Sequence, residues 1–150
     1  MNSASDWHPH KMPTLLINRI ARIMSKQVDD ELKILGITAS QLPVLVALKD
    51  GGQLTQKELA EAASVVQPSM AQLLSRMERD GLIKREPSPV DKRSSLISLT
   101  EHALGLLAPG RAILRRMDDE TCSVLSESER ETLVSLLYKI MLVLPEEGTD

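Results

Sequence analysis

The sequence predicts a mainly α fold carrying one β-hairpin, and three observations lead there. Apolar residues recur every three or four positions near both ends of the chain. The middle holds two short helical patterns separated by four residues. Between Leu82 and Leu99 the period changes to that of strands. A chain of 150 residues with 42% hydrophobic and 26% charged residues can bury a sizeable core and is expected to form one domain over 1–150.

Residues 1–13 carry Pro9 and Pro13 among polar residues and are expected to be a tail that orders only on a partner. From Thr14 to about Leu35, Leu16, Ile20, Met24, Val28 and Leu32 repeat every four positions, with Ile17 and Ile23 widening the stripe. That is an amphipathic helix, and Gly36 ends it as a glycine just past a helix does. A second helix is expected to begin after Thr38 or Ser40 and run to Lys49. With Ser40 as its cap, Pro43 falls in the first turn, where a missing N–H costs little. Gly51-Gly52 stops it.

Thr55 and Glu58 make a T-x-x-E capping box that opens a short helix ending near Ala63. Ser64, Val65, Val66 and Gln67 then lead into Pro68, which suits the first position of another helix. Along it Met70, Leu73, Leu74 and Met77 form a buried stripe that shares a core with Leu59. Ser69, Gln72, Arg76 and Arg79 lie on a different, donor-rich face. Met70 and Met77 therefore belong to the core.

Gly81 ends that helix. Leu82 to Glu86 and Ser95 to Leu99 are short strands joined by Pro87 to Ser94, a longer connection than a hairpin needs, so the loop is expected to serve as more than a turn. Thr100 caps a helix starting at Glu101, with a break or kink expected at Pro109-Gly110 before it continues through Met117. Ser126 and Glu129 make a second capping box. The helix they open carries Leu133, Leu136, Leu137, Ile140, Met141 and Leu144 on one face and is expected to end at Pro145.

Composition removes several classes of function. No apolar run approaches the roughly 18 to 20 residues that span a bilayer. The start, Met1 to Asp6, lacks the charged and then apolar regions of an export signal, so the expectation is a soluble, cytoplasmic protein without membrane contact. One cysteine, Cys122, makes no internal disulfide, and the neighbouring Asp118, Asp119 and Glu120 disfavour a reactive thiolate. With one Trp, one Tyr and no Phe there is no stacking platform for single-stranded nucleic acid. His8 and His10 near Asp6 lack further ligands, and the runs Asp29-Asp30-Glu31 and Asp118-Asp119-Glu120 spread around their helices, so neither metal nor cofactor is expected. No nucleophile-elbow, zincin, P-loop or dinucleotide motif occurs, so no enzyme is expected.

The net charge of −3 hides a partition. Residues 1–52 hold 6 Lys/Arg and 5 Asp/Glu, residues 53–100 hold 7 and 6, and residues 101–150 hold 5 and 10. The acid excess is C-terminal, and the mildly basic middle can meet DNA locally.

Over residues 54 to 103 the pieces "LTQKELA", "QPSMAQLLSRMERDGLI", "DKRSS" and "SLTEHA", in this order and register, resemble the MarR/SlyA family of winged helix-turn-helix transcriptional regulators. The similarity extends to about residues 14–144. The resemblance implies a winged helix-turn-helix over 38–100, dimerisation helices over 14–35 and 101–144, and tails at 1–13 and 145–150. It implies an obligate homodimer reading a pseudo-palindromic operator in double-stranded DNA, repression by blocking a promoter, and release by a small-molecule effector whose pocket residues are not legible. Asp91 and Arg93 match the family's wing, where the arginine enters the minor groove held by the aspartate; Lys92 would meet phosphate. The family often has Thr and Arg where this chain has Ala71 and Gln72, a difference that bears on base preference.

The side-chain chemistry points the same way. Glutamine can pair bidentately with adenine and arginine with guanine, which suits Gln72 and Arg76 near the start of a helix in the major groove. The wing arginine would favour a narrow, A·T-rich minor groove. Thr55 and the amide end of its helix could anchor a phosphate. The candidate DNA-facing residues are thus Thr55, Gln67, Ser69, Ala71, Gln72, Arg76, Asp91, Lys92 and Arg93. The candidate dimer residues are Leu16, Ile20, Met24, Leu133, Leu136, Leu137, Ile140 and Met141. Alone, the polar helix face would suit ordinary solvation, and a winged-helix adaptor that binds protein instead of DNA is the alternative; the Asp91/Arg93 wing favours DNA.

Overall fold

The computed structural model describes residues 7–145. The chain divides into two compact units, one up to Ala39 and one from Ser40.

In the first unit a turn of 3-10 helix, Pro9–Lys11, sits inside the stretch expected to be a tail, and helix α1 spans Pro13–Leu32. Both begin on a proline, whose fixed φ is already helical. The Trp7 indole N–H donates to Met12 Sδ at 3.2 Å. Helix α1 tightens into a 3-10 turn, Lys33–Leu35, and stops at Gly36, which is left-handed at φ 73°, the role expected of it. Leu16 and Ile20 are exposed, Met24 and Val28 half-buried and Leu32 buried, so the stripe is wet mainly in its first half.

A 3-10 turn, Ala39–Gln41, falls at the division, and α2, Leu42–Ala47, follows it. Ser40 is therefore not the cap. Gln41 holds that position without a side-chain bond, and Pro43 still lies in the first turn. Helix α3 is Gln56–Ala63 and α4 is Gln67–Arg79. Strands β1, Ile83–Pro87, and β2, Ser95–Leu99, pair antiparallel with Ile83 opposite Leu99 and Lys84 opposite Ser98. Pro87 joins the strand, so the connecting loop is 88–94, one residue shorter than expected. Leu54 adds a bridge on the far side of β2, exchanging two hydrogen bonds with Ile97 at 3.0 and 2.8 Å.

Helix α5 runs from Glu101 to Thr121 through Pro109 without the expected break. Proline has no N–H to give the Gly105 carbonyl, but a single missing bond does not end a helix anchored on both sides. After a 3-10 turn, Cys122–Val124, helix α6 covers Glu127–Met141, and the chain leaves it before Pro145. Its capping box is complete: Glu129 N–H donates to Ser126 Oγ at 3.1 Å and Ser126 N–H to Glu129 Oε1 at 2.9 Å. Those bonds hold the Glu129 carboxyl below the ordinary glutamate range. Arg130 ties α6 to α5 through Asp119 at 2.8 Å.

The core of this unit gathers Val44, Leu45, Leu48, Leu59, Met70, Leu74, Met77, Leu82, Ile97 and Leu99, with the expected Leu73 only half-buried. Thr100 links the parts: its Oγ1 donates to the Gly81 carbonyl at 2.7 Å and accepts from Ala103 N–H at 3.1 Å. Replacing Thr100 by Val should therefore lower unfolding stability by about 1–2 kcal/mol, with Thr100→Ser close to wild type, measured by denaturant midpoint. The Glu129 contribution has the sign of a depressed carboxyl: it is complete above the ordinary glutamate range and fades as pH falls through the lowered value. The denaturant midpoint should show this loss on acidification, and Glu129→Gln, which keeps the cap without the charge, should flatten it.

Candidate nucleic-acid interface

Helices α3 and α4 are joined by Ser64, Val65 and Val66, a turn possible because Ser64 adopts a left-handed conformation at φ 53°. Thr55 caps α3 as expected, its Oγ1 accepting Glu58 N–H at 3.2 Å, but the return bond from the Glu58 side chain is not made. The box is half a box. The Thr55 hydroxyl keeps its own proton to donate elsewhere.

On α4, the buried stripe Met70, Leu74 and Met77 turns Gln67, Ser69, Gln72 and Arg76 outward, and Ala71 is half-buried beside them. Val66 caps the helix without a side-chain bond, and Pro68 brings no N–H, so the positive end of α4 is left without a side-chain acceptor. Arg76 makes no ion pair among the described residues.

The hairpin loop is built by its own small side chains. Ser88 Oγ accepts the N–H groups of Val90 and Asp91, each at 3.3 Å. Ser88 N–H reaches the Ser94 carbonyl and Ser94 N–H the Asp91 carbonyl, both at 3.1 Å. Asp91 Oδ1 accepts the backbone N–H of Arg93 at 2.9 Å. The aspartate thus holds Arg93 by its backbone and leaves its side chain, like that of Lys92, exposed and unpaired among the described residues. The sequence reading missed Ser88 and Ser94, although serine between two prolines is a turn signal.

Three acids of this region are paired at the surface. Glu78 pairs with Arg85 at 2.8 Å, Asp80 lies 3.7 Å from Arg79, and Glu86 accepts from Gln53 at 3.3 Å. On α4 and the hairpin loop, Arg76, Lys92 and Arg93 face solvent unpaired among the described residues, beside a row of hydroxyl and amide groups. That is a surface for an anionic, hydrogen-bonding partner.

Comparison with known proteins agrees with this geometry. The model of the MarR family matches residues 35–94. The transcriptional regulator HosA of Escherichia coli O111:H- is 35% identical over 105 residues, which cover 70% of this chain and 78% of that protein. The chain belongs to the MarR family. Among solved structures, the S. aureus MepR–DNA complex superposes with a TM-score of 0.81 at 30% identity, covering 89% of this chain and 98% of that one. A mutant of MarR from E. coli complexed with operator DNA gives a TM-score of 0.77 at 28% identity, covering 87% and 91%. HosA is a transcriptional regulator, the MepR and MarR structures hold DNA, and the family assignment carries the winged helix-turn-helix architecture with it.

The loop geometry yields its own test. Asp91→Ala should speed hydrogen exchange at the Arg93 amide by about five- to tenfold, the equivalent of one lost hydrogen bond. Asp91→Asn, whose amide oxygen can accept the same bond, should exchange near the wild-type rate.

Proposed function

We propose that this protein is a sequence-specific, double-stranded-DNA-binding transcriptional regulator that acts as a homodimer on a pseudo-palindromic operator. The observation that carries the reading is the exposed pair of surfaces in one unit: the donor-rich face of α4, and a hairpin loop whose acid folds the backbone while Lys92 and Arg93 stay free. The MepR and MarR structures solved with DNA support it.

In this reading α4 enters the major groove with Gln67, Ser69, Ala71, Gln72 and Arg76 toward the bases, Gln72 suited to adenine and Arg76 to guanine. Thr55, through its unengaged hydroxyl proton, and Lys92 meet phosphates, and Arg93 reads a narrow minor groove. Residues 38–100 form the reading head, and 14–35 and 101–144 the dimerisation helices.

The homodimer is supported by what α6 leaves bare. Every residue of that helix except the half-buried Arg130 is exposed, including Leu133, Leu136, Leu137, Ile140 and Met141, and Leu136 is 54% accessible. Leu16 and Ile20 of α1 are in the same condition. At roughly 25 cal/mol per Å² of apolar surface, covering two such faces supplies several kcal/mol toward association. Repression by occupying a promoter, release by a small molecule and action in the cytoplasm complete the proposal.

A mobility shift with duplex DNA should weaken steeply between 50 and 200 mM salt as phosphate contacts release counterions. Arg93→Ala should lose most at sites with A·T-rich flanks, and Gln72→Ala should relax preference at one position per half-site by about 1–3 kcal/mol. Equal binding of single strands, or an Arg93→Ala variant unchanged across flanks, would overturn the assignment. Removing residues 126–150 should yield a species that no longer dimerises in sedimentation and binds the operator about 10² to 10⁴ less tightly, because bivalency is gone.

A further inference from the structure

We propose that the cleft at the base of the hairpin binds a small carboxylate with a short apolar body. The inference stands on a different surface from the DNA reading and does not rest on it.

The cleft, of about 590 Å³, is lined by Gly51, Gly52, Gln53, Lys84, Ser98 and Leu104, together with Leu99. Its donors have no other use. Ser98 is only 6% exposed, and its Oγ is a buried side-chain oxygen without a hydrogen-bond partner. Native folds leave few such groups unsatisfied, because a buried hydroxyl has given up its water and gained nothing in return. A serine turns among three staggered positions, so this hydroxyl can be presented to whatever enters.

Lys84 stands directly opposite Ser98 across the strand pair, is exposed, and makes no ion pair among the described residues. Cross-strand partners project from the same face, so ammonium and hydroxyl serve one site. In the neighbouring loop, Gly51 N–H is taken by the Leu48 carbonyl and Leu54 N–H by Ile97, while the N–H groups of Gly52 and Gln53 between them make no hydrogen bond in the described chain. Of the acids beside the loop, Glu86 is held by the Gln53 side chain, and Asp50, exposed, is not part of the cleft lining.

One cation, one hydroxyl and two backbone N–H groups, with no carboxylate among the lining residues, select an oxyanion. Leu104, 38% exposed, offers an apolar wall beside them. Charge and wall together select a carboxylate carrying a few carbons over a bare inorganic ion.

The test is a titration of the full-length, ¹⁵N-labelled protein with sodium isobutyrate, and separately with inorganic phosphate, against sodium chloride at equal ionic strength. Isobutyrate should shift the amides of Gly52, Gln53 and Ser98 saturably, and Ser98→Ala or Lys84→Gln should weaken it about tenfold, as loss of one charge-assisted contact does. Gly52 is not left-handed, and an added Cβ there meets nothing within 4 Å, so Gly52→Leu can fold and should block the cleft. The proposal fails if isobutyrate shifts do not saturate or match those of chloride, if phosphate binds in its place, or if Ser98→Ala binds like wild type. A water molecule on Ser98 alone would give the first of these results. No DNA enters the measurement, so its failure leaves the reading of α4 and the hairpin untouched.

Discussion

Thr100 is the point on which this fold turns. Its hydroxyl donates to Gly81, where α4 has just ended, and accepts from Ala103, where α5 begins, while its N–H closes the strand pair onto Leu82 at 3.1 Å. One residue thus fixes the end of the candidate recognition helix, the end of β2 and the direction of the long helix. A half-buried hydroxyl that serves both a carbonyl and a helix N–H joins two elements through one side chain, so losing it unties both at once.

From that joint the rest follows by charge placement. The segment 53–100 is close to neutral, with 7 basic and 6 acidic residues. Its acids do not cancel its bases at the surface. Glu78, Asp80 and Glu86 are engaged with Arg85, Arg79 and Gln53, and Asp91, though exposed, binds the backbone of its own loop, while Glu58 and Glu61 on α3 face solvent. Exposed ion pairs of this kind contribute little to stability. Their consequence is to take Arg79 and Arg85 out of the free charge, so that Arg76, Lys92 and Arg93, with Lys57 and Lys84 elsewhere on the unit, are the cations without an ion pair among the described residues. A count of charges along the chain therefore understates how basic one surface is.

The apolar surplus is distributed by the same logic. Leu59, Met70, Leu74 and Met77 close a core within the second unit, so nothing in that core needs the leucines of α6. An α-helix with an acidic first turn, a full capping box and an almost entirely exposed surface is stable locally but leaves a large apolar area in water. Its partner must come from outside its own chain segment, which is why assembly and function are tied in the proposed dimer.

Much of this was legible in residue order. The helix starts at Thr55, Thr100 and Ser126, the stop at Gly36, the inward stripe of α4 and the family itself all rest on residues within a few positions of one another, where backbone geometry links spacing to face. The expected break at Pro109 and the expected cap at Ser40 show the limit of such local rules, because neighbouring turns can carry a helix through a proline and a 3-10 turn can displace a cap. Only the tertiary structure decided that Leu54 pairs with Ile97 and that Ser98 faces Lys84 with no partner of its own. Those outcomes depend on which donors and acceptors meet after distant segments pack, and hydrogen bonds, being short-ranged and directional, are settled by that meeting and not by sequence spacing.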